Sequence, residues 1–168
     1  ALVTGGAKGM GASHCRLLAE RGAAVIIADV DPSGEKLAAE LRAEGRHAHF
    51  THLDVTSESS WTQVVDDALA AHGKVDILVN NAGVVVLKPV EDCTPEEFDF
   101  VFNVNIKGVF LGCKHILRAM KTAGGGSIIN IASASGLKAV MPQLALYTAS
   151  KGAVRTFSTL TEDSNEGR

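Results

Sequence analysis

ALVTGGAKGMGASHCRLLAERGAAVIIAD, residues 1–29, holds the pattern that decides the fold. An apolar run, ALVT (1–4), meets a glycine-rich turn, TGGAKGMG (4–11). A helical pattern follows, with Ala12, Cys15, Leu18 and Ala19 on one face. A second apolar run, AAVIIAD (23–29), ends on Asp29. Strand, glycine turn, helix and strand in this order predict parallel strands joined by a crossover helix.

The alternation continues outward. Asp31 can cap a helix that begins at Pro32, carries Leu37, Ala38 and Leu41 inward, and ends near Gly45. HAHFTHLD (47–54) reads as a third strand, and SESSWTQVVDDALAAHG (57–73) as a helix that turns Trp61, Val64, Val65, Ala68 and Leu69 inward and stops at Gly73. VDILVNNAG (75–83) is a fourth strand. Thr94-Pro95-Glu96-Glu97 supplies a cap, a proline and two acids for one long helix. GGGSIINIAS (124–133) is a fifth strand, in which Ser127 is expected to pack, and a last helix starts near Leu146. Strands that are apolar throughout need both sheet faces covered. The expected fold is therefore an α/β, doubly wound parallel sheet of Rossmann-like order 3-2-1-4-5, with the fifth strand at an edge. A six-strand sheet of this kind would need one strand more, and the chain closes on the polar tail TEDSNEGR. The expectation is one dinucleotide-binding domain over 1–168, cut short before a sixth strand.

The glycine turn suggests chemistry. Gly5, Gly9 and Gly11, with Met10 between the last two, let the backbone turn tightly and approach a ligand. The helix that follows points free N–H groups at the turn, a natural seat for a pyrophosphate. The spacing, G-x-x-x-G-x-G, is neither the common dinucleotide fingerprint nor a P-loop. At Asp29 a carboxylate can accept from both hydroxyls of an adenosine ribose and would repel a 2′-phosphate. That favours NAD over NADP, although Lys8 could hold such a phosphate or be an ordinary surface lysine.

Composition narrows the function. The chain has 168 residues, 46% hydrophobic and 21% charged, with net charge −3 and no basic run, which argues against a nucleic-acid surface. No apolar stretch approaches a membrane span. Three cysteines, Cys15, Cys93 and Cys113, stand far apart with no metal-binding spacing, as expected for reduced thiols in a cytoplasmic protein. His47 and His49 share a strand face and His52 opposes them, so no metal site is expected.

Near the end stands LALYTASKGA (144–153), with the only tyrosine, Tyr147, one helical turn before Lys151. A free phenol ionises near pH 10 and is a poor base at neutrality. An ammonium at ~4 Å, at an effective dielectric of ~20, favours the phenolate by at most about 4 kcal/mol. Such a pair is a candidate acid/base couple.

TGGAKGMG, Asp29, LDV (53–55), NNAG (80–83), NVNIKG (103–108), SIINIASASG (127–136) and YTASK (147–151) occur in one order. Together they resemble the short-chain dehydrogenase/reductase family, most closely its hydroxysteroid and secondary-alcohol dehydrogenases. The resemblance implies that Tyr147 is the general acid/base, that Lys151 favours its ionised form and holds the nicotinamide ribose, and that Ser133 polarises the substrate oxygen, with Ser135 the rival. It implies that Asn105 completes a proton relay through water, with Asn103 its neighbour and competitor. It sets Asp54 and Val55 beside adenine, and Asn81, Ala82 and Gly83 along the cofactor. Asn80 is expected to tie strands together. Val84, Val85, Val86, Leu87, Leu137, Met141 and Leu144 either line a substrate pocket or simply pack. The implied activity is NAD-dependent oxidation of a secondary alcohol, or reduction of a ketone, in a cytoplasmic homotetramer. The alternatives are a nucleotide-binding fragment without turnover and a methyltransferase-like domain.

Overall fold

The structure, a computed structural model, describes residues 1–138 and 141–162, with side chains up to residue 159 within those spans. Most of the expected polar tail TEDSNEGR lies outside the described residues.

Among the described residues five strands form one parallel sheet: β1 (Leu2–Thr4), β2 (Val25–Asp29), β3 (Ala48–His52), β4 (Ile77–Asn80) and β5 (Ser127–Asn130). Their order is β3-β2-β1-β4-β5, the order expected from the sequence. Among the described residues six α-helices flank the sheet: α1 (Gly9–Glu20), α2 (Gly34–Ala43), α3 (Glu58–His72), α4 (Pro95–Phe102), α5 (Gly108–Ala123) and α6 (Ala145–Glu162).

Side chains alternate across each strand, so β1 feeds two cores. Leu2, with Ile26 and Leu78, packs against Trp61 of α3 and Ile116 of α5. Val3, with Ile27 and Val79, packs against Cys15 of α1 and Leu41 of α2. Both faces are covered, which is why the strands are apolar throughout.

Four local expectations are corrected. The strands are shorter than their apolar runs, because the flanks lack ladder partners and Gly124 and Gly125 adopt positive φ, 92° and 133°. The helix after Asp31 begins at Gly34. The backbone first makes tight turns, with Gly34 N–H donating to Asp31 O and Glu35 N–H to Pro32 O, while the Asp31 carboxylate accepts from Ser33 N–H at 2.8 Å. The long helix is interrupted by a π-helical turn, Asn103–Lys107, in which Gly108 N–H reaches back to Asn103 O. Ser127 is exposed, because β5 is a sheet edge. Other expectations hold. Thr94 and Glu97 form a reciprocal capping box at α4 (3.0 and 3.2 Å), and Gly73 ends α3 at φ 74°. Half-buried His49 stacks on His72 with ring centroids 5.6 Å apart.

Candidate active site

The carboxyl ends of β1, β2 and β4 open onto a cleft of about 740 Å³, a size suited to a cofactor. Gly5, Lys8, Gly9, Met10 and Gly11 form one wall and Asp29 one corner. Asp54 and Val55 lie along it, and Asn81, Ala82 and Gly83 face the glycine turn. All eleven cofactor candidates outside α6 therefore meet in one place.

Contacts between β1 and β4 build this cleft. Thr4 Oγ1 accepts from Asn81 N–H at 3.0 Å and from Ala82 N–H at 3.1 Å. Asn81 Nδ2 donates to Thr4 O at 3.0 Å and to Gly5 O at 3.1 Å. The glycine turn is thus clamped to the end of β4. Gly11 has no alternative residue: a Cβ there would lie 2.0 Å from Gly5 O. Gly9, at φ +54°, faces open space, and α1 begins with no side-chain cap and no acid in its first turn. Free N–H groups beside an open cradle fit a pyrophosphate.

Asp29 is held by its loop. Oδ2 accepts from Ala7 N–H and Oδ1 from Asp31 N–H, each at 3.0 Å, which leaves lone pairs for ribose hydroxyls. Lys8 pairs with Asp31. Asp54 Oδ1 accepts from the N–H and hydroxyl of Thr56 at 2.9 and 2.8 Å. Val55 O accepts from Trp61 Nε1 at 3.1 Å.

A smaller cleft of about 410 Å³ adjoins the first, and Met10, Asn81, Gly83 and Val84 line both. Tyr147 and Lys151 stand here with Val85, Leu87, Ile131, Ala132 and Leu144. Val86, Leu137 and Met141 are not among its lining residues. The Lys151 ammonium lies 6.0 Å from the Tyr147 ring centroid and donates to Ile131 O at 2.7 Å. It is buried, and burial holds its pKa below the ordinary lysine value.

Asn105 and Ser133 are placed differently from Tyr147, for neither lines either of these two clefts. Asn105 is fully buried in the π-helical turn. Its Oδ1 accepts from Val84 N–H at 2.8 Å, and its Nδ2 donates to Val84 O and to Ser150 Oγ, both at 2.9 Å. The amide's donors are used up on protein partners, which leaves the side chain none for a water. Asn103 lines the larger cleft instead. Ser133 Oγ accepts from Ser135 N–H at 3.2 Å and caps the short turn Ala134–Gly136. That turn packs on α6 closely enough that a Cβ on Gly136 would lie 2.7 Å from Gly152 N. Asn80, buried, donates to Asn130 Oδ1 at 2.8 Å and ties β4 to β5.

Sequence reading missed Ser150, which links Asn105 to the Tyr147 carbonyl, and the cleft residues Leu53, Thr56, Phe100 and Val104. Thr56, two residues after Asp54, carried the one legible signal, since an aspartate often bonds to the residue two places on.

The family model described as short chain dehydrogenase matches residues 1–166. Cyclopentanol dehydrogenase of Comamonas testosteroni is 49% identical over 158 residues, which cover 94% of this chain and 63% of that protein. The 3-alpha-(or 20-beta)-hydroxysteroid dehydrogenase of Mycobacterium tuberculosis (strain ATCC 25618 / H37Rv) is 46% identical over 156 residues, covering 92% of this chain and 58% of that one. The chain thus spans about three fifths of the length of these curated relatives. A crystal structure of a metagenomic short-chain oxidoreductase in complex with NADP superposes with a TM-score of 0.92 at 34% identity, covering 98% of this chain and 75% of that one. No helix among the described residues is long and apolar enough to cross a membrane.

Proposed function

The chain belongs to the short-chain dehydrogenase family, and we propose that its protein is an oxidoreductase that interconverts a secondary alcohol and a ketone with NAD in preference to NADP. One observation carries this reading: Tyr147 and Lys151 share a cleft that is continuous with the cleft of the glycine turn.

Each residue then has a physical task. The α1 N-terminus and the glycine turn seat the pyrophosphate, and Asp29 accepts from the adenosine ribose. Asp54 and Val55 border the adenine. Asn81, Ala82 and Gly83 form the floor between the two clefts. When bound, NAD takes or supplies the hydride. Tyr147 takes a proton from the alcohol oxygen in oxidation and returns it in reduction. Ser133 donates to the same oxygen and stabilises its developing charge. Lys151 places a cation 6.0 Å from the centre of the Tyr147 ring and holds the nicotinamide ribose. Asn105 acts as a positioning residue that fixes Val84 and, through Ser150, the first turn of α6.

The apolar wall of Val85, Leu87, Ile131, Ala132 and Leu144 suits a hydrocarbon ring, such as that of a cyclic alcohol or hydroxysteroid. Exposed Phe98, Phe100 and Phe110 suit assembly into a homotetramer, and the three unbonded thiols suit the cytoplasm. The test is Tyr147→Phe in the full-length protein. Turnover of cyclic secondary alcohols should fall at least ~100-fold, with NADH binding retained. Unchanged turnover would refute the assignment.

A further inference from the structure

We propose that Asp31 helps to set the cofactor choice by silencing Lys8. The proposal rests on the reading of the larger cleft as a dinucleotide site.

Lys8 is the only cation among the described residues that line this cleft. A 2′-phosphate held near Asp29 would need a cation to offset that carboxylate, and Lys8 is the one within the glycine turn. Its ammonium is already paired with Asp31. Each group reinforces the other's charge: the pairing raises the Lys8 pKa and holds the Asp31 carboxyl well below the usual range.

The position of Asp31 is itself fixed. Its Oδ1 accepts from Ser33 N–H at 2.8 Å, and its own N–H donates to Asp29 Oδ1 at 3.0 Å. Ala7 N–H closes the same corner on Asp29 Oδ2 at 3.0 Å. One carboxylate, Asp29, therefore lines the cleft where a 2′-phosphate would arrive, and the single cation among the described lining residues is turned to Asp31 beside it. Selectivity for NAD then comes from two aspartates: Asp29 by direct repulsion, Asp31 by occupying the lysine. The Lys8 side chain is 71% exposed, and once Asp31 loses its charge only the weaker pull of Asp29 acts on it among the described residues.

Asp31→Asn is the informative variant, because an amide oxygen can still accept from Ser33 N–H while the charge is gone. NADH and NADPH are titrated by fluorescence into the full-length protein at low salt. The NADPH-to-NADH affinity ratio should rise by about tenfold, and the gain should shrink at 0.5 M salt, where screening reaches only a few ångströms. Asp31→Ser should act in the same direction. In a Lys8→Gln background the Asp31 substitution should leave the ratio unchanged, an outcome that a purely structural role for Asp31 does not require. An unchanged ratio in Asp31→Asn, or an equal rise without Lys8, overturns the proposal. If neither dinucleotide binds the wild-type protein, the cleft reading itself fails and takes the proposal with it.

Discussion

The Lys151 ammonium donates to the Ile131 carbonyl at 2.7 Å, well inside the fold. Burial lowers its pKa in the folded chain. Below the ordinary lysine value the unfolded chain therefore holds this proton more firmly, so the stability contribution of Lys151 rises with pH toward about 10.5. Lys151→Met should remove the cost of a buried charge. Urea unfolding at pH 7 should show stability equal to wild type or higher, without the wild-type rise toward pH 10.5. Turnover should drop at least ~100-fold.

Gly136→Ala forces a methyl group to within 2.7 Å of Gly152 N and 2.8 Å of Lys151 O. Backbone cannot yield as a flexible side chain does, so the turn must lift off α6. The expected cost is about 1–3 kcal/mol. Activity should fall further than the fraction unfolded explains, because the displaced segment carries Ser133 at one end and rests on Lys151. Urea unfolding and kcat, measured side by side, check this.

Ser150 is fully buried; its hydroxyl accepts from Asn105 Nδ2 at 2.9 Å and donates to Tyr147 O at 2.8 Å. Ser150→Ala leaves an amide N–H without an acceptor, a cost of about 1–3 kcal/mol. Ser150→Thr keeps the hydroxyl and should recover most of the loss. In Ser150→Ala, kcat should fall more than KM rises, because the change reaches Tyr147 rather than the substrate wall.

Burial pushes the Cys15 thiol up to about 12. The folded state therefore favours the thiol, and this contribution is complete below the unfolded value of about 9 and lost as pH rises toward 12. Cys15 and Cys113 are buried and Cys93 is partly exposed. A thiol reagent at pH 8 should modify Cys93 in the native protein and reach the other two only on unfolding.

The sheet was legible because its central strands β1, β2 and β4 are buried on two faces and so read as short apolar runs between helices. The glycine turn and Asp29 were legible because chain order places them at adjacent strand ends. The start of α4 at Thr94 was legible from a cap, a proline and two acids in a row, whereas the return bond from Thr94 N–H to Glu97 was not. What else escaped sequence reading lies between residues distant in the chain. Ser150 and Asn105 are 45 positions apart, and Lys151 and Ile131 are 20 apart. Lys8 looked free to meet a phosphate, because nothing in the sequence signals its pairing with Asp31. The break between α4 and α5 was hidden as well, since Asn103–Lys107 contains no proline or glycine.

That break changes how substitutions propagate along the segment. Across the π-helical turn the buried positions Val101, Asn105 and Val109 stand four residues apart, a wider step than the ~3.6 residues of an ideal turn. The π-helical turn absorbs the surplus and keeps the inward stripe in phase. Deleting one residue there would restore regular winding and leave α5 in its present phase, because the π-helical turn is where the surplus residue sits. The cost would fall on the turn itself, where Asn105 would lose Val84, so the length of this stretch serves the site rather than the packing of α5.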